Sequence, residues 1–421
     1  MADVLARITD GARRSNGVLP NRFLLRAIEE MVVAGADGLD IPPNNVQPAS
    51  IDLRLGDVAH PLRCSFLPDR YTVRERLAQV GTGADPIDIS GDGAVLERGR
   101  PYLVPLQEAL RLPDGLRART NPKSSTGRAD VFTRVITDRS STFDDVPEGY
   151  DGRLFLEIVP LSFPVRVKQG LSLNQLRLSV GNARVEDEEL RALHRESPLL
   201  YERGGIVSDQ RMKIANGLFL GLNLKPTKKN RQVGWVAKRS APVLDLTKVR
   251  ALDRELYWDR ATTDGQADRI VLQPREFYLL MSNEAVVIPP SMAAEMTAYD
   301  PTSGELRTHY AGFFDPGFGF DEATGLSGST AALEVRAHDV AFMIEHRQRV
   351  CKLTFEHMLA APETLYGSGM SSNYQGQTDT LSKHFAVVTS GRTTESPMDD
   401  SLRLDFGTID DRETHAQRDR V

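Results

Sequence analysis

The spacing of apolar positions changes early in the chain. From Arg22 to Ala34 they recur at helical intervals, and Gly35 follows as a stop, which predicts one early helix. After it come short apolar runs such as Ser50-Ile-Asp-Leu-Arg-Leu55 and Arg153-Leu-Phe-Leu-Glu-Ile-Val159, separated by Pro, Gly and Asp. Runs of that length bounded by turn residues predict strands, and a succession of them predicts a mainly β sandwich or barrel with a few short helices. The charged stretch Val185-Glu-Asp-Glu-Glu-Leu-Arg-Ala-Leu-His194 returns to helical spacing and reads as a connecting helix. Beyond Phe385 large apolar residues become few, which predicts a flexible tail over 386–421.

The strand pattern repeats. Val95-Leu-Glu-Arg-Gly-Arg-Pro-Tyr-Leu103 lies over Val271-Leu-Gln-Pro-Arg-Glu-Phe-Tyr-Leu279, Glu108-Ala109 over Glu284-Ala285, and Pro113 over Pro289. Tyr278 minus Tyr102 is a shift of 176, and Leu156-Glu157 falls on Leu333-Glu334 at 177. A register kept over such a span points to a duplicated domain. The expected boundaries are 1–185 for the first copy, 186–214 for a linker, 215–385 for the second copy and 386–421 for the tail.

Composition narrows the partners. A 40% hydrophobic share over 421 residues is enough for two cores. A net charge of -6 argues against non-specific nucleic-acid binding, so an anionic ligand would need local cations. The opening Met-Ala-Asp-Val-Leu-Ala-Arg has no apolar leader region and no uncharged run reaches membrane-spanning length, which gives a cytoplasmic expectation. Only Cys64 and Cys351 are present, too few for a disulfide framework, and both are read as buried thiols.

Candidate chemistry lies in the first copy. Glu157 sits mid-strand among apolar neighbours, where a carboxylate is either paired for structure or available as an acid/base of raised pKa, and Glu334 recurs at the matching place. Lys123-Ser-Ser-Thr-Gly-Arg128 combines two cations, hydroxyls and a Gly, the ingredients of a phosphate-binding turn, with Arg139 nearby as a further cation. The second copy reads Pro301-Thr-Ser-Gly-Glu-Leu-Arg307, which keeps Ser303 and Arg307 but loses the Lys. Zinc-dependent deamination needs a His-x-Glu followed by Pro-Cys-x-x-Cys. His194-Arg-Glu196 matches the first half only, no Cys-x-x-Cys exists, and His194 reads as part of a solvated face.

These pieces resemble a known family. Val46-Gln-Pro-Ala-Ser-Ile-Asp-Leu-Arg-Leu-Gly56, Ser124-Ser125 with Arg128, and Gly149-Tyr-Asp-Gly-Arg-Leu-Phe-Leu-Glu157 are similar to the motifs of the 2'-deoxycytidine 5'-triphosphate (dCTP) deaminases, and the two-copy layout is similar to that enzyme's long form. The resemblance implies two tandem dUTPase-like distorted jelly-roll or β-barrel domains. It also implies that Glu157 is the general acid/base, that Ser124 orients the attacking water and that Thr137 assists through its backbone carbonyl. Lys123, Ser125, Arg128, Arg139 and Tyr150 fall in the substrate-binding set, with Mg2+ bound through the triphosphate and no zinc. Asp315-Pro-Gly317, Glu334 and Asn373-Tyr-Gln-Gly-Gln377 keep family-like features in the second copy, although Phe313 stands near where a substrate Arg is expected and Asn373 replaces the Lys of the lid motif. Ser303, Arg307, Asp315, Glu334, Tyr374 and Gln377 are therefore read as a secondary or composite site.

The implied reaction is hydrolytic deamination of dCTP to dUTP and ammonia, with dTTP as a candidate inhibitor and a homotrimer as the family default. Two alternatives remain: a dUTP diphosphatase or bifunctional deaminase and diphosphatase, and a non-catalytic deoxynucleotide sensor. Because the basic loop and Glu157 share one copy, Glu157 is expected to be the working carboxylate and Glu334 secondary.

Overall fold

A computed structural model describes residues 2–226, 231–264, 268–298, 306–308, 312–321, 326–337, 339–368, 374–377 and 379–387. The fold is mainly β, as the apolar pattern predicts, with short α-helices at Ala2–Ile8, Asn21–Glu29, Val73–Val80, Ser124–Gly127 and Asp187–Glu196. The early helix ends sooner than its spacing suggests. Met31 takes a left-handed φ of 58°, and Val33–Gly35 then pairs as a strand with Tyr102–Arg111, so Val32 and Val33 are buried on a sheet rather than on a helix face.

In the first copy, one sheet runs Gly17–Val18, Ser172–Val180, Leu116–Pro122, Asp145–Val146, with Ile51–Arg54 also on Ser172–Val180. The other runs Ile87–Asp88, Val58–Pro61, Tyr102–Arg111, Asp151–Pro160, Val131–Thr137. The second copy repeats this plan. Glu157 pairs with Leu103, and Glu334 pairs with Leu279, the same two positions one repeat apart. Tyr102 Oη accepts the Glu97 N–H at 3.0 Å and Tyr278 Oη accepts the Gln273 N–H at 3.1 Å. Glu108 and Glu284 each accept a backbone N–H, from Arg54 at 2.7 Å and from Gly221 at 2.8 Å. Such carboxylates are kept because removing either would leave a buried donor unsatisfied.

The stretch 186–214 is not a free linker. Leu190, Leu199, Leu200, Val207 and Met212 are buried in the second core, and Leu200–Glu202 pairs with Phe277–Val286. His194, expected on a solvated face, is 3% exposed; its Nδ1 accepts the Leu199 N–H at 3.1 Å, which leaves Nε2 to donate to the Val207 carbonyl at 2.7 Å. It ties the helix to the following loop. Both cysteines are free, and Cys64 is exposed rather than buried, because it lies on the loop beyond Val58–Pro61. Residues 388–421, most of the expected flexible tail, lie outside the described residues.

Two of the contacts between the copies are extensive. The first is polar. Arg177 of the first copy, 2% exposed, donates to Glu356 at 2.9 Å, to Asp315 at 3.3 Å and to the carbonyls of Ala294 and Phe314, with its guanidinium 4.0 Å from the Phe313 ring. Beside it, Glu295 accepts from Arg119 at 2.8 Å and from Asn121 at 2.9 Å. The second contact is aromatic: Phe163 meets Tyr257 and Trp258 edge-on, while Leu244–Asp245 of the second copy adds as a parallel strand to Val165–Val167 of the first. Charges desolvated in this way hold only in the geometry that pairs them, so the seam fixes one docking arrangement.

Candidate active site

The seam brings the basic loop of the first copy to the acidic strand of the second. Pro122 ends the strand Leu116–Pro122, and Ser124–Gly127 forms one helical turn. Thr126 Oγ1 pins that turn by donating to the Leu173 carbonyl at 2.8 Å, and Ser382 Oγ of the second copy donates to the Ser125 carbonyl at 2.9 Å. Arg128 then projects under the end of the second copy. Its guanidinium lies 3.8 Å from the Tyr374 ring centroid, and it donates to Gln377 Oε1 at 2.7 Å and to the Thr380 carbonyl at 3.4 Å. Gln377 in turn donates to the Thr330 carbonyl at 2.5 Å, which anchors this segment on the strand Ser329–Ala337.

Glu334 stands on that strand and is 8% exposed. A Cβ on Gly127 would fall 2.6 to 2.8 Å from its carboxyl atoms, so the carboxyl rests directly on the Gly127 backbone and the position tolerates no side chain without displacement. Burial pushes the Glu334 carboxyl well above the usual carboxylate range; Arg128 opposes the shift and Asp130 adds to it. A carboxyl shifted in this direction holds a proton more readily than an exposed one, which suits an acid/base.

Around this pair lies a cavity of roughly 510 Å³, within the range that encloses small-molecule ligands. Of the expected residues, Lys123, Ser124, Ser125, Arg128, Asp315, Glu334, Tyr374 and Gln377 line it. Lys123 is ion-paired with Asp52. Lys383, also on the wall, has its ammonium pKa lowered by burial first and then by repulsion from Lys123, against the pull of Asp52. Burial is also the chief cause of the raised pKa of Asp315, against the opposing pull of Arg177.

Four expected residues are elsewhere. Glu157 lies opposite Arg134 on the neighbouring strand and bonds it at 2.8 Å. Arg134 is stacked 3.8 Å from Phe143, and Phe155, two residues before Glu157 on the strand, packs with Phe66, Val73 and Leu103 in a separate cluster capped by Leu77, Val80 and Phe143. The strand position that in the second copy faces the basic loop is therefore filled in the first copy from within: by a cross-strand cation, by the helix Val73–Val80 and by the segment after Arg139. Thr137 is buried on the same strand as Arg134. Arg139 is exposed, with a left-handed φ of 58° and its N–H on the Tyr71 carbonyl. Tyr150 donates to the Arg153 carbonyl at 2.6 Å. None of the four lines the cavity. Ser303 lies outside the described residues, and Arg307 lies on the strand Leu306–Thr308, paired with 335–337.

Sequence reasoning missed Asp52 and Lys383. Asp52 is the one acid inside Ser50-Ile-Asp-Leu-Arg-Leu55, but alternation sets it opposite Ile51 and Leu53 on the polar face, and only the fold buries that face too. Lys383 had no local signal, because only the fold carries it back to Lys123.

Comparison with known proteins agrees with this layout. The N-terminal domain of 2'-deoxycytidine 5'-triphosphate deaminase matches residues 15–182, and the C-terminal domain of the same family matches 186–385. A "dCTP deaminase, dUMP-forming" from Rhodococcus opacus (strain B4) is 30% identical over 158 residues, 36% of this chain and 77% of the relative. One from Methanothermobacter thermautotrophicus is 30% identical over 141 residues, 34% of this chain and 67% of the relative. The crystal structure of 2'-deoxycytidine 5'-triphosphate deaminase from Agrobacterium tumefaciens matches with a TM-score of 0.77 at 42% identity, covering 85% of this chain and 100% of that one.

Proposed function

The chain belongs to the dCTP deaminase family, and from that premise we propose that it deaminates dCTP in the cavity shared by its two copies, with Glu334 rather than Glu157 moving the protons. The observation that carries this reading is the contact of Glu334 with the Gly127 backbone, which puts a buried carboxyl of raised pKa on the loop that holds Ser124, Ser125 and Arg128. Deamination adds water across the C4–N3 bond of the cytosine and then expels ammonia from C4. Glu334 takes a proton from the water and passes it to N3, then takes the proton of the new C4 hydroxyl and supplies it to the amine, which leaves as ammonia while C4=O forms. Ser124 orients the water from the lip of the turn. Lys123, Ser125, Arg128 and Lys383 give the triphosphate the local cations and donors that a chain of net charge -6 must supply.

Mg2+ is a hard cation that takes oxygen ligands and enters such sites on the phosphates themselves. The residues present fit it. Asp52 Oδ1 is buried at the cavity with no hydrogen-bond partner, and its other oxygen is held by Lys123, so one carboxylate oxygen remains beside the cations that would meet the phosphates. When bound, the ion neutralises phosphate charge.

The product of this reading is dUTP. A second reading, dUMP formation, is favoured by the names of the relatives and by Asp315, a second buried carboxyl on the cavity wall. The Arg177 ion pair that occupies Asp315 weighs against its use as a free base. Chromatography of a dCTP time course separates the two: dUTP and ammonia alone support the first, whereas dUMP and pyrophosphate that vanish in Asp315→Asn support the second. Binding of dCTP with no ammonia released would leave only the sensor.

A further inference from the structure

The cavity is lined by two kinds of side chain. Its cations and hydroxyls come from the basic turn of the first copy and from Lys383, whereas Phe313, Phe314, Phe318, Tyr366 and Tyr374 of the second copy supply aromatic rings. A nucleoside triphosphate has the same two parts, a polyanion and a flat base whose faces stack well on aromatic side chains. The rings are not equivalent. Phe314 and Phe318 meet edge-on at 4.9 Å and Tyr366 packs on Phe318 at 5.7 Å, so these three are committed to one another. The Tyr374 ring carries Arg128, 3.8 Å from its centroid.

Phe313 has no ring partner among the described residues, and one face of its ring is held by the buried Arg177 guanidinium at 4.0 Å. Its backbone is fixed as well. Phe313 pairs with Glu295, the Gly312 carbonyl accepts the Met296 N–H at 2.9 Å, and Arg177 binds the Phe314 carbonyl and the Asp315 carboxyl that follow. The segment also borders the reacting end of the cavity: a Cβ on Gly312 would lie 3.9 Å from Ser124 Oγ. Phe313 therefore joins two properties that the other rings do not share, a lining position directly after the residue beside Ser124 and a cation fixed behind its ring.

We propose that Phe313 is the platform on which the pyrimidine ring of the substrate lies, and that Arg177, behind the phenyl ring, is its positioning residue. This rests on the reading of the cavity as the dCTP site. A ring already held by a cation and by its own strand loses little freedom when a base stacks on it, so the contact costs little ordering. Stacking does not change as water adds to C4, so the platform contributes binding that substrate and transition state share, and its loss appears in KM.

Steady-state kinetics of the full chain test this, with inorganic tripolyphosphate as a competitor that carries the substrate's charge and no ring. Phe313→Leu should raise KM for dCTP by about tenfold, while kcat and the tripolyphosphate inhibition constant change much less. Phe313→Tyr, which keeps the ring, should restore KM. Phe313→Met carries the same expectation as Phe313→Leu with an unbranched side chain that fits irregular space, so the test does not hang on one variant folding. Arg177→Lys keeps the charge but not the planar stack, and should raise KM for dCTP without weakening tripolyphosphate. An unchanged KM in folded Phe313→Leu or Phe313→Met overturns the proposal. So does a tripolyphosphate constant that rises in step with KM, because the substitution would then disturb the whole wall. The same comparison made by equilibrium titration of dCTP and tripolyphosphate needs no turnover, so failure of the platform is separable from failure of the proposed deamination.

Discussion

Replacing Glu334 by Gln keeps the side chain's volume against Gly127 and removes its ability to titrate. Loss of a general acid/base typically costs a factor of about 10² to 10⁴, or roughly 2.7 to 5.4 kcal/mol on the barrier. Turnover should fall by that range, while the dCTP affinity contributed by Lys123, Ser125 and Arg128 should be largely retained. Stability should move the other way. Burial raises the Glu334 pKa in the folded protein, so ionisation penalises the folded state: the penalty is absent below the unfolded carboxyl's pKa and complete once pH has risen through the folded one. Glu334→Gln should therefore melt above wild type at about pH 8 and with it at about pH 4.

Glu157→Gln has the opposite profile. It breaks a buried ion pair and leaves Arg134 donating to Ser65, a loss that typically costs about 3 to 5 kcal/mol for a fully buried pair and less here, because the Arg134 side chain is 26% exposed. Its melting temperature should fall while turnover per folded chain remains. Ammonia release under saturating dCTP, with melts across pH, reads both variants. An active Glu334→Gln beside a folded but inactive Glu157→Gln would refute the argument and return the chemistry to the first copy.

Two further outcomes follow from the same geometry. Gly127→Ala places a methyl 2.6 to 2.8 Å from the Glu334 carboxyl, so steady-state kinetics should show kcat falling more than KM rises; an unchanged kcat would mean that the carboxyl is free to move aside. Titration with an aromatic disulfide should modify one thiol per native chain, Cys64, and a second only on unfolding, because Cys351 is fully buried and its thiol pKa is raised by burial; two fast thiols would contradict this.

The strands, the duplication and the basic loop were legible in sequence because each is written in local spacing. Tyr102 and Tyr278 lie at one shift and Glu157 and Glu334 at nearly the same shift, and both pairs recur in register in three dimensions. The choice between the two glutamates was not legible, because alternation along a strand gives both the same buried face. What separates them is cross-strand and cross-copy: Glu157 pairs with Arg134, whereas Glu334 meets Gly127, more than two hundred positions earlier in the chain. The linker was misread for a related reason. A charged helix such as Asp187–Glu196 shows its solvated side in composition, while Leu190 and His194, its buried side, reveal themselves only when a core is present to receive them.

The divergence of the copies has a physical order to it. A site built across two identical copies needs the loop of one and the carboxyl of the other. Once both copies are in one chain, a single loop and a single carboxyl suffice, and the unused half of each copy is released from that chemistry. The second copy has no Lys in the corresponding loop, and the first copy's Glu157 has a cross-strand Arg stacked on Phe143. A buried carboxylate is costly unless it is paired, so Arg134 stabilises Glu157 in its buried place. On that argument the two positions are coupled. Arg134→Ala alone should destabilise more than Arg134→Ala together with Glu157→Leu, a comparison that a double-mutant melting cycle measures directly. If the single and the double variant melt at the same temperature, the ion pair is incidental and this account of the first copy fails.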